Sequence, residues 1–172
     1  LPSSFFYLSL SNTVGGAIFH DGNLLPGDAF RCGEAGHMTL IPDGKPCYCG
    51  KTGCVDAYCS ARLLSDLSGG RLEDFFLGLQ QNNPDYRSVW DTYLKHLAVV
   101  INNLHMILDY DIVLGGYVGS FLTPWLDTIR RLVAEHNTFE DDGSFVKLCT
   151  YQTGAAAYGA AMDVMEEFLR TV

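Results

Sequence analysis

Two blocks decide the fold: Gly33-Glu34-Ala35-Gly36-His37 and, after residues 38–46, Cys47-Tyr48-Cys49-Gly50-Lys51-Thr52-Gly53-Cys54-Val55-Asp56. Glycines at 50 and 53 let the backbone curl tightly enough for three sulfurs to converge. Structural zinc takes four soft or borderline ligands in a tetrahedron, and His37 is the nearest candidate outside the cysteine loop, completing a Cys₃His set. The competing reading is a disulfide or three unrelated buried thiols. Cys47 and Cys49 are too close in sequence for a relaxed bridge, and an acidic chain with no export signal points to a reducing, cytoplasmic compartment. We therefore expect structural zinc on His37, Cys47, Cys49 and Cys54, pinning a loop over residues 33–57. Cys32, Cys59 and Cys149 lack such spacing and read as small buried hydrophobes.

Outward from this loop, Phe5 to Ser11 and Gly15 to Phe19 are short apolar runs, followed by the hairpin signal Asp21-Gly22 and then Leu24-Leu25. They read as an antiparallel meander. Residues 26–59 lack a helical period and read as one long loop. Beyond it, Ser60 is a plausible N-cap for a helix from Ala61 to Leu67, and Leu72 to Gln81 is a second helix. Leu94, Leu97, Ala98, Ile101, Leu104 and Leu108 follow helical spacing, which predicts a central buried helix from Arg87 to Leu108. Next come a buried strand at Ile112-Val113-Leu114 ending in Gly115-Gly116, a helix from Leu122 to Glu135, a strand from Phe145 to Cys149 and a helix from Ala155 to Arg170. That alternation implies an α/β, mixed sheet with parallel neighbours.

The composition sets bounds. The 172 residues suit one domain, and 48% hydrophobic content is enough for an ample core. The net charge of −9 offers nucleic-acid phosphates no cationic surface. The longest clean apolar run, Leu97 to Ile101, is far short of the roughly 20 residues that span a bilayer, so no membrane role is expected. Because Leu1 is followed almost at once by a buried strand, we expect the chain to be a fragment of a longer protein.

Taken together, these blocks resemble the ROK family, which groups sugar kinases and sugar-responsive transcriptional repressors on an actin-like, ribonuclease H-like fold of two lobes. Gly33 to His37 is similar to the family's GExGH segment and Cys47 to Asp56 to its CxCGxxGCxE zinc segment; Ile112 to Gly116 and Gly154 to Ala161 resemble its later Gly-Gly turn and small-residue helix. The resemblance runs from Phe5 to the carboxyl end and implies that residues 1–172 are the carboxyl-terminal lobe. An amino-terminal lobe and any DNA-binding domain would lie outside it.

By the same resemblance, Glu34, His37 and Asp56 line a sugar pocket. A carboxylate's two oxygens can accept protons from two neighbouring hydroxyls, which suits Glu34. Asp56 stands where the family usually has the longer Glu, and it could equally be an acid favouring the start of the following helix. If a nucleotide is bound, the resemblance puts it against Thr13, Gly15, Gly115 and Gly116. Two departures from family kinases stand out. The Asp-x-Gly motif and the Asn-Asp pair with its catalytic base are not in this chain, and the first hairpin has Ser11-Asn12-Thr13 where kinases have Gly-Thr-Gly. The expected β-carbons would stand where backbone amides should close on phosphate. The resemblance thus implies the sensing lobe of a ROK-type transcriptional regulator, with a sugar or sugar-phosphate effector and DNA contacted only through an absent domain. The alternative is the corresponding lobe of an ATP-dependent sugar kinase.

His20, His96, His105 and His136 show no partner spacing and default to surface or satisfied core positions. The last helix carries small residues at Ala156, Gly159 and Ala160 and an apolar face of Met162, Met165, Phe168 and Leu169. We expect that face to be covered by a second copy, giving a homodimer, or by the lobe's own core.

Overall fold

Alternation along Phe5–Leu10 (β1) turns Phe6, Leu8 and Leu10 into the core, so this strand organises the sheet. The computed structural model describes residues 2–151 and 154–171. Val14–His20 (β2) pairs antiparallel with β1, with Leu10 opposite Val14, and Asn23–Leu25 (β3) follows through Asp21-Gly22, both at positive φ as a tight hairpin turn requires. Asp111–Gly115 (β4) lies parallel to β1, and Val146–Leu148 (β5) lies parallel to β4. The five-stranded order is β3-β2-β1-β4-β5, the meander on one side and the parallel strands on the other, as the sequence pattern implies. Ile112, Val113 and Leu114 are fully buried, the signature of a strand covered on both faces.

The helices are Asp56–Cys59 (α1), Ala61–Ser65 (α2), Leu72–Gln80 (α3), Pro84–Leu108 (α4), Gly116–Gly119 (α5), Leu126–Ala134 (α6) and Ala155–Thr171 (α7). The central helix α4 starts earlier than its apolar period indicates. Asn83 accepts from the Asp85 and Tyr86 amides through its side chain, and Pro84 occupies the first turn where no amide partner is needed. Trp90 of α4 centres an aromatic cluster with Phe75, Phe76, Tyr93 and Trp125.

Several expected bounds change. Ser60 has the extended backbone of an N-cap, but its hydroxyl makes no capping bond, and α2 ends at Ser65 before a 3₁₀ turn at Asp66–Ser68. The helix expected from Leu122 to Glu135 divides into a 3₁₀ turn at Thr123–Trp125 and α6, because Pro124 supplies no amide. The long loop of residues 26–59 contains a 3₁₀ turn at Ala35–His37 and the short α1. The lobe's own core does not cover α7: Met165, Phe168 and Leu169 are 55%, 66% and 68% exposed. Gly159 meets no neighbour among the described residues, and the Ala156 side chain of the expected small-residue stripe lies outside them.

Candidate functional site

The block from Gly33 to His37 lies flat against β2 because it carries glycine where the backbones touch. A β-carbon on Gly33, at φ +94°, would run into the Gly16 carbonyl, and one on Gly36 into the Val14 carbonyl. The 3₁₀ turn that follows closes with the His37 amide donating to the Glu34 carbonyl at 3.1 Å. Residues three apart eclipse in such a turn, so Glu34 and His37 stand together, Glu34 Oε2 lying 3.9 Å from His37 Nε2.

The cysteine loop folds as a knuckle. Gly50 donates to the Cys47 carbonyl at 3.0 Å and Cys47 donates to the Lys51 carbonyl at 2.8 Å. Gly53, at φ +78°, is so close to the Ile41 carbonyl that no β-carbon fits, and a bridge pairs Thr39 with Cys54. The sulfurs of Cys47, Cys49 and Cys54 and one His37 ring nitrogen come within 4.8 Å of one another. Cys49 and Cys54 sulfurs are 3.7 Å apart. A tetrahedron with metal–sulfur bonds of about 2.3 Å has an edge of about 3.8 Å, so this spacing fits a metal rather than a disulfide. All six cysteines are free. Burial pushes the Cys54 thiol up to about 11, whereas the Lys51 backbone holds the exposed Cys49 thiol below its ordinary value.

The two ring nitrogens of His37 differ in their surroundings. Nε2 lies 3.2 Å from the Tyr48 hydroxyl, while Nδ1 is buried with no hydrogen-bond partner. An unmatched buried nitrogen is costly, and coordination by Nδ1 satisfies it. The residues therefore fit a four-coordinate metal ion, and Nε2 keeps the proton that can be donated outward.

Asp56 is more buried than a solvent-facing sugar ligand requires. It is 6% exposed, and its Oδ2 accepts from the Val14 amide at 2.7 Å, tying the end of the cysteine loop to β2. It still borders a cavity of about 440 Å³ lined by Asn12, Thr13, Tyr48, Ser60 and Arg62. Glu34 instead borders an apolar groove with Phe6, Ile18, Met38 and Leu104. The two carboxylates thus open onto separate hollows, and Tyr48 lines the one that Asp56 borders. Partial burial, followed by the nearby negative groups Asp56, Cys47, Glu34 and Cys49, raises the Tyr48 hydroxyl above its ordinary range. Sequence reasoning passes over Tyr48; its one signal is an aromatic ring between two ligand cysteines, here 65% exposed.

The four candidate nucleotide positions are each held by strand pairing, packing or the cavity beside Asp56. Thr13 borders the Asp56 cavity, and Gly15 sits in the β1–β2 ladder opposite Ser9. Gly115 is held against the Tyr7 ring, and Gly116, at φ +77°, presses against the Leu10 backbone and donates to the Tyr7 hydroxyl at 3.2 Å. Packing against β1 is reason enough for this glycine pair. None of Ser11, Asn12 and Thr13 has a positive φ, so the turn is built without glycine's freedom. Its ends are tied down: the Ser11 carbonyl accepts from the Ala61 amide at 2.7 Å, and the Ser11 hydroxyl accepts from the Tyr117 amide at 3.4 Å.

The sequence model of the ROK family matches residues 2–167. An N-acetylmannosamine kinase of Salmonella typhi is 29% identical over 164 residues, covering 91% of this chain and 55% of the relative. The chain thus spans about half the length of the curated relatives it matches. Among solved structures, the ROK hexokinase of Thermus thermophilus superposes with a TM-score of 0.75 at 24% identity, over 95% of this chain and 59% of that one. A ROK family transcriptional regulator, a homolog of the E. coli MLC protein, gives 0.69 at 21% identity, over 86% and 41%. Both show the same fold.

Proposed function

The chain belongs to the ROK family and has its ribonuclease H-like fold, and from that premise we propose that it is the zinc-pinned, sugar-sensing carboxyl-terminal lobe of a ROK-type transcriptional regulator. The effector is a sugar or sugar phosphate recognised by Glu34, His37 and Asp56, with Tyr48 joining them, and it spans the two hollows onto which Glu34 and Asp56 open. Glu34 accepts two adjacent hydroxyl protons. With Nδ1 on the metal, Nε2 of His37 donates, either to Tyr48 or to a ligand oxygen that replaces it. One oxygen of Asp56 is committed to Val14, leaving the other for a hydroxyl or a bridging water. When bound, the zinc supplies order: four protein ligands hold the Glu34 turn against the Tyr48 knuckle.

The observation that carries the regulator reading is the turn Ser11-Asn12-Thr13, whose residues all bear β-carbons and none of which has the positive φ that an amide nest for phosphate uses. The kinase reading is favoured by the names of the sequence relatives, among them N-acetylmannosamine kinase and glucokinase. Two measurements test the proposal. Nuclear magnetic resonance titration with millimolar glucose and N-acetylmannosamine should shift signals of Glu34, His37, Tyr48 and Asp56, and Glu34→Gln should abolish the shifts. A coupled assay with ATP should detect no phosphorylation of either sugar by this chain. Unchanged spectra with every hexose tried would remove sugar sensing, and turnover would move the chain to the kinase branch.

A further inference from the structure

The second concentration of ligand-bearing side chains lies at the carboxyl end of α4, where His105, Asp109 and Glu140 bring one nitrogen and two carboxylates within 4.8 Å of one another. It lies beside the first residues of β4, at the opposite end of that strand from Gly115-Gly116. We propose that these three residues bind a divalent transition-metal ion of the zinc class, at a site separate from the cysteine cluster.

His105 is set for coordination. It is 5% exposed, and its ring stacks on Phe145 with centroids 3.6 Å apart. Its Nδ1 lies 2.8 Å from the Tyr110 carbonyl, which can only accept, so Nδ1 carries the proton. In the neutral ring Nε2 then presents its lone pair to the carboxylates, whereas a ring protonated on both nitrogens would donate to Glu140. A backbone carbonyl on the far nitrogen is the usual way a protein fixes and orients a metal-binding imidazole.

Glu140 meets it as a long hydrogen bond and ion pair. Both oxygens lie 3.4 Å from Nε2. A charge-assisted hydrogen bond would draw one of them to about 2.7–2.9 Å. Ligands that share a tetrahedral ion at about 2.0–2.1 Å stand about 3.4 Å apart. Glu140 Oε2 is shut off from solvent and receives no hydrogen bond, a state that a bound cation would satisfy. Glu140 is held in place by Asn137, whose side-chain oxygen accepts from the Phe139 and Glu140 amides at 2.7 and 2.9 Å. Asp109 closes the set from the left-handed residue that ends α4, at φ 54°, with solvent free to fill the remaining position. One imidazole with two carboxylates suits zinc, manganese or nickel better than magnesium, which prefers oxygen and its own waters. The ion would clip the end of α4 to the connection that leads into β5.

The test is metal counting on the reduced full chain, dialysed against micromolar free zinc. Wild type should hold one zinc more than His105→Gln and one more than Asp109→Asn. The latter variant keeps the fold, because asparagine accepts the left-handed conformation readily. Cys49→Ala should retain that additional ion, which separates this site from the cysteine cluster whatever the cluster binds. With cobalt as probe, the ion lost from Asp109→Asn should add visible absorption without a sulfur-to-cobalt charge-transfer band. Equal metal content in wild type and Asp109→Asn, or a charge-transfer band on the ion that Asp109→Asn loses, would overturn the proposal.

Discussion

Replacing Asp56 with alanine tests how the cysteine loop is fastened to the sheet. The Val14 amide opens β2 directly after the turn, and its partner is the buried Asp56 Oδ2 at 2.7 Å. Alanine would leave that amide buried and unmatched, at a cost of about 1–3 kcal/mol, the upper part applying because the lost bond is charge-assisted. With an unfolding entropy of about 2.1 cal/mol/K per residue, a chain of 172 residues loses about 0.36 kcal/mol per degree near its midpoint, so about 2.5 kcal/mol lowers Tm by about 7 °C. Asparagine keeps an oxygen at the same place and should cost only about 1 kcal/mol, or about 3 °C. Thermal and urea unfolding followed by circular dichroism would measure both, with zinc content checked in each variant because Cys54 is two residues away. An alanine variant within about 0.5 kcal/mol of wild type would refute the fastening. Equal damage from asparagine and alanine would show that the charge, rather than the acceptor, matters.

The purified chain should carry zinc on His37, Cys47, Cys49 and Cys54; chelation should lower Tm, and Cys49→Ala should speed hydrogen exchange over residues 33–57 while α4 stays protected, so a zinc-free reduced protein would remove the idea. Burial, with Lys45 nearby, holds His96 below the usual histidine range as it sits edge-on to Tyr58. Its stabilising neutral form is complete above the unfolded value of about 6.5 and is lost as pH falls through the lowered folded value, so His96→Gln should flatten the decline of urea midpoints as pH falls below about 6.5. Identical declines would count against this. The exposed face of α7 should bury itself in a homodimer, seen by light scattering at micromolar concentration and dissociated by Phe168→Asp; a monomeric wild type would exclude it.

What the sequence shows plainly is what is local. The cysteine spacing, the flanking glycines and the Asp21-Gly22 turn act over a few residues, and each is found where its chemistry puts it. The start of α4 was equally local, since Asn83-Pro84 is a capping signal, yet hydrophobic period places the start at Arg87 because the first turn of the helix is polar. Distant partners are another matter. Asp56 reads as a sugar ligand or a helix-start acid, and its bond to Val14, 42 residues away, carries no trace in either neighbourhood. His105 reads as a default histidine because Glu140 lies 35 residues further on. The short α5 is hidden for a different reason: its sequence, Gly-Tyr-Val-Gly, has poor helix propensity and is held by β1 packing.

The same long-range bonds bear on how a sugar could be sensed. Asp56 holds Val14 at one end of the first turn, while Ala61, at the start of the next helix, holds the Ser11 carbonyl at the other. Tyr117, beyond the Gly-Gly pair, donates to the Ser11 hydroxyl. The turn is therefore gripped from the cysteine loop and from the end of β4 at once, the latter through the Ser11 hydroxyl, which a glycine would not supply. A ligand that takes the free oxygen of Asp56 leaves the bond to Val14 in place, so it adds a partner to a carboxylate that already fixes the start of β2. Under the sensing role proposed above, that link would join sugar occupancy at Asp56 to the turn Ser11-Asn12-Thr13.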